Sequence, residues 1–283
     1  MQSLTASMPC LTQGFVSVTK NLYFPIGILI LWLLMAVLGS QLNLQPDVVN
    51  LPEILQPPTI DAWLGYDDLG RPVLDRLIIG AQISFFVALQ VVTLSLIIGT
   101  TIGAISAWYG GWLDKVIVHM IDIFLAFPGI LLAIALAGIL GAGIENVVFA
   151  LSAVGWVGFA RLARAQSLSL KQRTHVTAAT ALGATTPRIL YYHILPLLIA
   201  PLIIEATFGI AGVVIAEAGL SFLGLGVQAP TASWGAMLKD GSRYMLIAPH
   251  LVLAPGVALM LVVLSVNLLG DRLRDVLDVK NTD

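Results

Sequence analysis

Lys171–Pro196 reads KQRTHVTAATALGATTPRILYYHILP, a stretch too polar to cross a bilayer and too patterned for a plain loop. Val176–Leu182 is rich in alanine, the strongest helix former. Gly183 follows at the position where a helix stops, because glycine adopts positive φ at little cost. Thr186 and Pro187 then supply an N-cap and a first helical residue, so a second short helix is expected from Pro187 to about Ile194. Pro196 marks entry into the next apolar run. Small side chains at Ala178, Ala179, Ala181 and Ala184 allow another surface to approach closely. The stretch predicts two short helices joined at Gly183, lying at one face of a membrane.

The sequence on either side supplies the membrane. Of the 283 residues, 58% are hydrophobic and only 11% are charged, against about 25% charged in a soluble domain. A lipid-facing surface explains that deficit, because hydrocarbon penalises charge. Six segments have the roughly 20 apolar residues a helical span requires: 23–43, 83–107, 116–140, 146–164, 197–218 and 248–269. The expected fold is all-α and polytopic. Residues 1–45 form an N-terminal tail and first helix, 46–82 an external loop, and 83–278 a core containing the 171–196 loop. The apolar run from Leu22 to about Leu38 exceeds a signal-peptide core and reads as an uncleaved helix rather than a cleaved signal.

Charge orients these spans. With the N-terminus inside, the internal segments hold Lys20, Lys115, Arg161, Arg164, Lys171, Arg173, Arg188, Arg272, Arg274 and Lys280; the external loops hold Arg71, Arg76, Lys239 and Arg243. Positive charge stays on the cytoplasmic side, so both termini are expected there. The long external loops are 44–82, acidic and Pro-rich, and 219–247, rich in glycine.

Chemistry is sparse. The net charge of −2 points to no nucleic-acid partner. Cys10 stands alone, and His119, His175, His193 and His250 are scattered without metal-ligand spacing. No G-x-x-x-x-G-K-[ST] or Gly-Lys pair is present, so the chain has no phosphate-cradling loop. Asp122, Glu205 and Glu217 fall in or beside apolar runs. Such residues line a polar path or join helices. Asp122 has His119 and Lys115 at helical spacing as candidate partners; Glu217 is open between the two roles, and Glu205 has no assigned role. Pro128 is expected to kink the third span. Gly99 and Gly103, four apart, are expected to let another helix backbone approach.

Four stretches resemble one family. Lys171–Pro196 resembles the "EAA" loop of ABC-importer permeases, with Ala178, Ala179, Gly183, Ile194, Leu195 and Pro196 in matching places and Thr177 where the family has glutamate. Residues Leu64–Arg71 (LGYDDLGR) resemble the external G-T-D-x-x-G-R-D signature of dipeptide, oligopeptide and nickel permeases, matching at Gly65, Asp67, Gly70 and Arg71, with Tyr66 and Pro72 in place of Thr and Asp. Glu217–Gly226 (EAGLSFLGLG), continuing to Trp234–Leu238 (WGAML), resembles the same subfamily's external loop, and Asn267–Asp275 (NLLGDRLRD) its C-terminal end. The resemblance covers about residues 60–278.

It implies the type I ABC importer fold, about six transmembrane helices in the bacterial inner membrane. Thr177, Ala178, Ala179, Gly183, Ile194, Leu195 and Pro196 would form a cytoplasmic coupling helix that docks on an ATPase. Glu217, Ser221, Phe222, Gly224 and Trp234 would belong to a re-entrant external segment facing the channel mouth, with Asp122 a further candidate for the path. The partners implied are a second permease in a heterodimer, two ATPase subunits carrying ATP and magnesium, an extracytoplasmic substrate-binding protein and membrane lipid. This chain would bind no cofactor and catalyse no reaction. The cargo would be peptides or, alternatively, nickel or a metal chelate. An ion-driven secondary transporter would need an ion site at broken helices, for which Asp122 with Pro128 is the candidate. A membrane enzyme would need a convergent catalytic set, which the sequence does not supply.

Overall fold

Long apolar runs satisfy their own backbone hydrogen bonds only as helices when water is absent. The computed structural model describes residues 22–60 and 62–279, and its regular elements there are helical apart from one isolated bridge, Tyr66 to Pro72. The expected tail 1–21 lies outside the described residues. In chain order, α1 is Tyr23–Leu38, α2 Val73–Tyr109, α3 Gly111–Leu125, α4 Gly129–Leu140, α5 Ile144–Lys171, α6 Thr174–Ala181, α7 Thr186–Ile189, α8 Leu195–Phe222, α9 Trp234–Ser242 and α10 His250–Val279. Five helical stretches are long and apolar enough to cross a membrane, or six if α3 and α4 count as one broken span.

Three spans differ from the sequence reading. α2 has 37 residues, about 55 Å of helix at 1.5 Å per residue. It starts at Val73, so residues 73–82 are helix and not external loop. No breaker follows Pro72, which is extended and starts the helix. α5 runs to Lys171 rather than 164, and Arg164 within it pairs with the Asp114 carboxylate. The expected third span, 116–140, is broken: α3 and α4 meet at 88°. Pro128 lacks an N–H and disfavours helical backbone at Phe127, and it becomes the residue before α4 rather than a kink inside one helix.

The core sits between α2 and α5, which share the most extensive helix pairing. Gly99 faces the Trp156 carbonyl and Gly103 the Ala160 carbonyl, each closer than any Cβ would permit. The expectation drawn from their four-residue spacing is met. A second cluster joins α1, α2, α8, α9 and α10 through Trp32, Val73, Ala81, Val214, Trp234 and Leu251. Trp32 donates its indole N–H to the Ala81 carbonyl at 3.1 Å, which satisfies a polar group in an apolar setting.

Candidate coupling loop, external lid and transport path

The 171–196 loop folds as two short helices around Gly183. The end of α6 is closed by a paired motif: Gly183 donates to Thr180 (3.0 Å) and Ala184 to Ala179 (3.1 Å). This pattern needs a left-handed residue, and Gly183 has φ +81°. The restart is one residue earlier than its sequence suggests: Thr185 is the cap, with Thr186 and Pro187 in the first turn. The second helix also does not end at Ile194. A π-helical segment, Leu190–Ile194, carries α7 directly into α8.

The expected coupling residues divide into two sets. Thr177, Ala178 and Gly183 are exposed, and Leu182 at the tip is 89% exposed. Ile194 is buried with Val176, Ile189 and Leu198, and this cluster ties the loop to α2 and α5. Ala179 and Leu195 are half-buried, and Pro196 is exposed. Thr177 turns its hydroxyl back to the Thr174 carbonyl at 3.0 Å. It therefore makes a local bond within α6, at the position where the family has glutamate.

Trp108, at the end of α2, is an anchor that the sequence reading missed. Its indole N–H donates to Thr186 Oγ1 at 3.1 Å. Lys171 donates to its carbonyl, with the ammonium 5.3 Å from the ring centroid, a cation–π distance. Nearby, Arg164 grips Asp114 with two bonds, Nε–Oδ1 at 2.6 Å and Nη2–Oδ2 at 2.7 Å. Ser106 Oγ donates to the same carboxylate at 2.6 Å. These contacts bind the ends of α2, α3 and α5 at the loop's side of the bundle.

On the opposite side of the bundle, the Leu64–Arg71 signature forms a lid. Asp67 is buried. Its Oδ1 accepts from the backbone N–H groups of Leu69 and Arg71, both at 2.9 Å, and its Oδ2 from Arg71 Nε at 2.7 Å. Arg76 approaches the same oxygen at 3.4 Å and donates to the Pro46 and Pro230 carbonyls at 3.1 and 3.3 Å. Two loops thus meet the start of α2 at Arg76, which the Asp67 carboxylate holds. Gly65 and Gly70 have φ +69° and +71°, and a Cβ on Gly70 would collide with the Asn50 carbonyl. All four signature residues (Gly65, Asp67, Gly70, Arg71) come together, as a packed scaffold.

Asp68 beside them is less well paired. Burial and the Asp67 carboxylate hold its carboxyl above the usual range, with Asp240 adding to this and Arg71 opposing. A raised folded value contributes stability that is complete below the unfolded value of about 3.9 and lost as pH rises through the folded one. Asp68→Asn is therefore expected to stabilise the protein slightly at pH 7, by no more than about 0.5 kcal/mol, with the gain vanishing toward pH 4 in thermal melts of the purified protein.

The expected channel-mouth residues divide by burial. Glu217 is 1% exposed; it accepts from Ser84 Oγ at 3.0 Å and Ser221 Oγ at 2.8 Å. It joins α8 to α2 rather than lining a path. Trp234 is fully buried, donating to the Leu77 carbonyl at 3.0 Å and stacking 6.4 Å from Trp32. Gly80 makes room for it: a Cβ there would lie 2.7 Å from the indole. Ser221 is buried too, whereas Phe222 is exposed and Gly224 turns the chain with φ +84°. Asp122 is exposed on α3, and among the described residues no ion pair joins it to His119 or Lys115.

An apolar cavity of about 500 Å³ opens between α2, α4, α5 and α8. Glu205 is the charged residue on its wall. No three His, Cys, Asp or Glu side chains gather as a metal site among the described residues.

A broken span, a buried lid and a helical loop at the other face fit a membrane transport subunit. Comparison with known proteins makes this specific. The chain belongs to the family described as binding-protein-dependent transport system inner membrane component, whose sequence profile matches residues 99–282. It is a multi-pass inner-membrane permease subunit of an ABC importer. It is 41% identical over 271 residues to the dipeptide transport system permease protein DppC of Alkalihalophilus pseudofirmus, covering 95% of this chain and 89% of that one. It is 40% identical over 257 residues to the glutathione transport system permease protein GsiD of Pectobacterium atrosepticum, covering 90% and 85%. The fold matches a chain of the MetNI methionine ABC transporter solved in inward-facing conformations, with a TM-score of 0.59, 20% identity and coverage of 72% and 98%.

Proposed function

We propose that this chain forms one half of a peptide channel and converts ATPase motion into alternating access through the loop at Gly183. The observation that carries this is the loop's construction. Its exposed tip at Leu182 stands on a helix whose inner side, at Val176, is fixed in the same cluster as α5 and α8. A push on the tip therefore reaches the long helices rather than dissipating in slack chain. ATP binding on two partner ATPase subunits would draw two such loops together, one from each permease of a heterodimer, and open the bundle outward. Hydrolysis, with its magnesium, belongs to those partners, and this chain contributes the path and the linkage. The excess of Lys and Arg in the loop's side of the topology supports cytoplasmic termini.

Peptides are the proposed cargo. The support is identity at or above 40% to permeases named for dipeptide and glutathione transport, together with a largely apolar cavity carrying one carboxylate. Delivery would come from an extracytoplasmic binding protein docking near the Asp67 lid.

Gly183→Val tests the linkage. Nothing lies within 4 Å of a Cβ at Gly183, so the cost is backbone strain at positive φ, about 1–3 kcal/mol, confined to the loop. Peptide uptake and recovery of ATPase subunits on affinity-purified permease are expected to fall at least tenfold, with the permease still folded. Unchanged uptake would contradict the proposal.

A further inference from the structure

Glu205 lies ten residues into α8, about 15 Å of helical rise from Leu195, well inside the apolar run. An acidic side chain at that depth is costly unless it serves a path or a partner. Its carboxylate has no hydrogen bond or ion pair within the described residues. The sequence makes room for it: the Cβ position of Gly158 lies 2.8 Å from Glu205 Oε1. The Cβ position of Gly155, one turn away on α5, lies 2.6 Å from Ser95 Oγ. That hydroxyl is buried and has no hydrogen-bond partner. Both side chains line the same cavity of about 500 Å³, whose other walls are apolar or glycine.

We propose that Glu205 and Ser95 form a transit site for a protonated amine, the N-terminal ammonium of a peptide cargo. Neighbouring positions one helical turn apart lie about 5–6 Å from each other. Gly155 and Gly158 thus bring both side chains against one turn of α5, at the wall of the same cavity. One carboxylate and one hydroxyl are too few ligands for a divalent cation, and the described residues gather no metal cluster. The cavity volume falls within the range of small-molecule sites, about 300–1,000 Å³. The apolar walls would accept side chains without selecting among them, while the carboxylate holds the feature that peptides share. The inference rests on the peptide reading above.

The test uses the whole importer in proteoliposomes with its binding protein and radiolabelled dialanine. Glu205→Gln is expected to lower uptake roughly tenfold, the size of one charge-assisted hydrogen bond. Binding-protein-stimulated ATP hydrolysis should stay within about twofold and recovery of the sister permease should be unchanged. Glu205→Asp should restore most uptake, and Ser95→Ala should lower it about threefold. Equal uptake by wild type and Glu205→Gln overturns the inference alone. Loss of the sister permease in Glu205→Gln also overturns it, since the carboxylate would then be an interface ion pair. Failure of the wild type to take up dialanine overturns the peptide reading, and the inference with it.

Discussion

Gly103→Val is expected to leave little folded permease. A Cβ at this position would meet the Ala160 carbonyl oxygen well inside contact distance, and the Ala160 carbonyl carbon and Cα at 3.0 Å. Those are backbone atoms of a buried helix and have no rotamer through which to yield. The helices must separate along the most extensive pairing in the bundle, taking Gly99 away from Trp156 as well. Ordinary overpacking costs about 1–3 kcal/mol; a clash with backbone exceeds that range. In lipid no hydrophobic drive remains to hold the loosened pair together, since packing itself supplies the association. Gly138→Ala is the control. It is helical with nothing within 4 Å of a Cβ, and alanine should add up to about 1 kcal/mol of helix propensity. Thermal unfolding of the two variants in detergent checks the contrast.

Asp67→Ala has the second large effect expected. The carboxylate receives two backbone N–H groups and two guanidinium groups, Arg71 at 2.7 Å and Arg76 at 3.4 Å. Arg71 and Arg76 are each under 10% exposed. Without Asp67 they keep only lesser partners: Asp68 lies 3.6 Å from Arg71 and Asp47 3.6 Å from Arg76. Removing one member of a buried ionic group costs about 3–5 kcal/mol. The loss should appear as a lowered thermal midpoint and faster proteolysis between residues 44 and 72. Because Arg76 also holds the Pro46 and Pro230 carbonyls, the damage should reach the 223–233 loop.

The legible and illegible features differ in the range of their causes. The stop at Gly183 and the restart near Pro187 could be read because their causes lie within a few residues. The close approach at Gly99 and Gly103 was legible from spacing alone, though the partner helix was not. Glu217 could not be resolved from sequence: its partner Ser84 is 133 residues away, and a carboxylate at the end of an apolar run looks alike whether it faces water or serines. The same holds for Asp114 with Arg164, 50 residues apart, and for Trp234, whose aromatic ring suited a channel mouth as well as a core. Pro128 announced a distortion, but an 88° break depends on what α4 packs against, namely Ala133 and Ala137 against Val147 and Ala150. Glu205 stayed unassigned because a cavity exists only once four helices have met.

Site-specific cross-linking at the loop tip measures the central claim most directly. With Cys10→Ser as background, Leu182→Cys in the assembled importer is expected to form a disulfide with an engineered cysteine on the ATPase surface, with a yield that changes when ATP binds. A membrane-impermeant thiol reagent added outside should leave it unlabelled. Labelling from outside, or no cross-link under any nucleotide condition, would contradict the account.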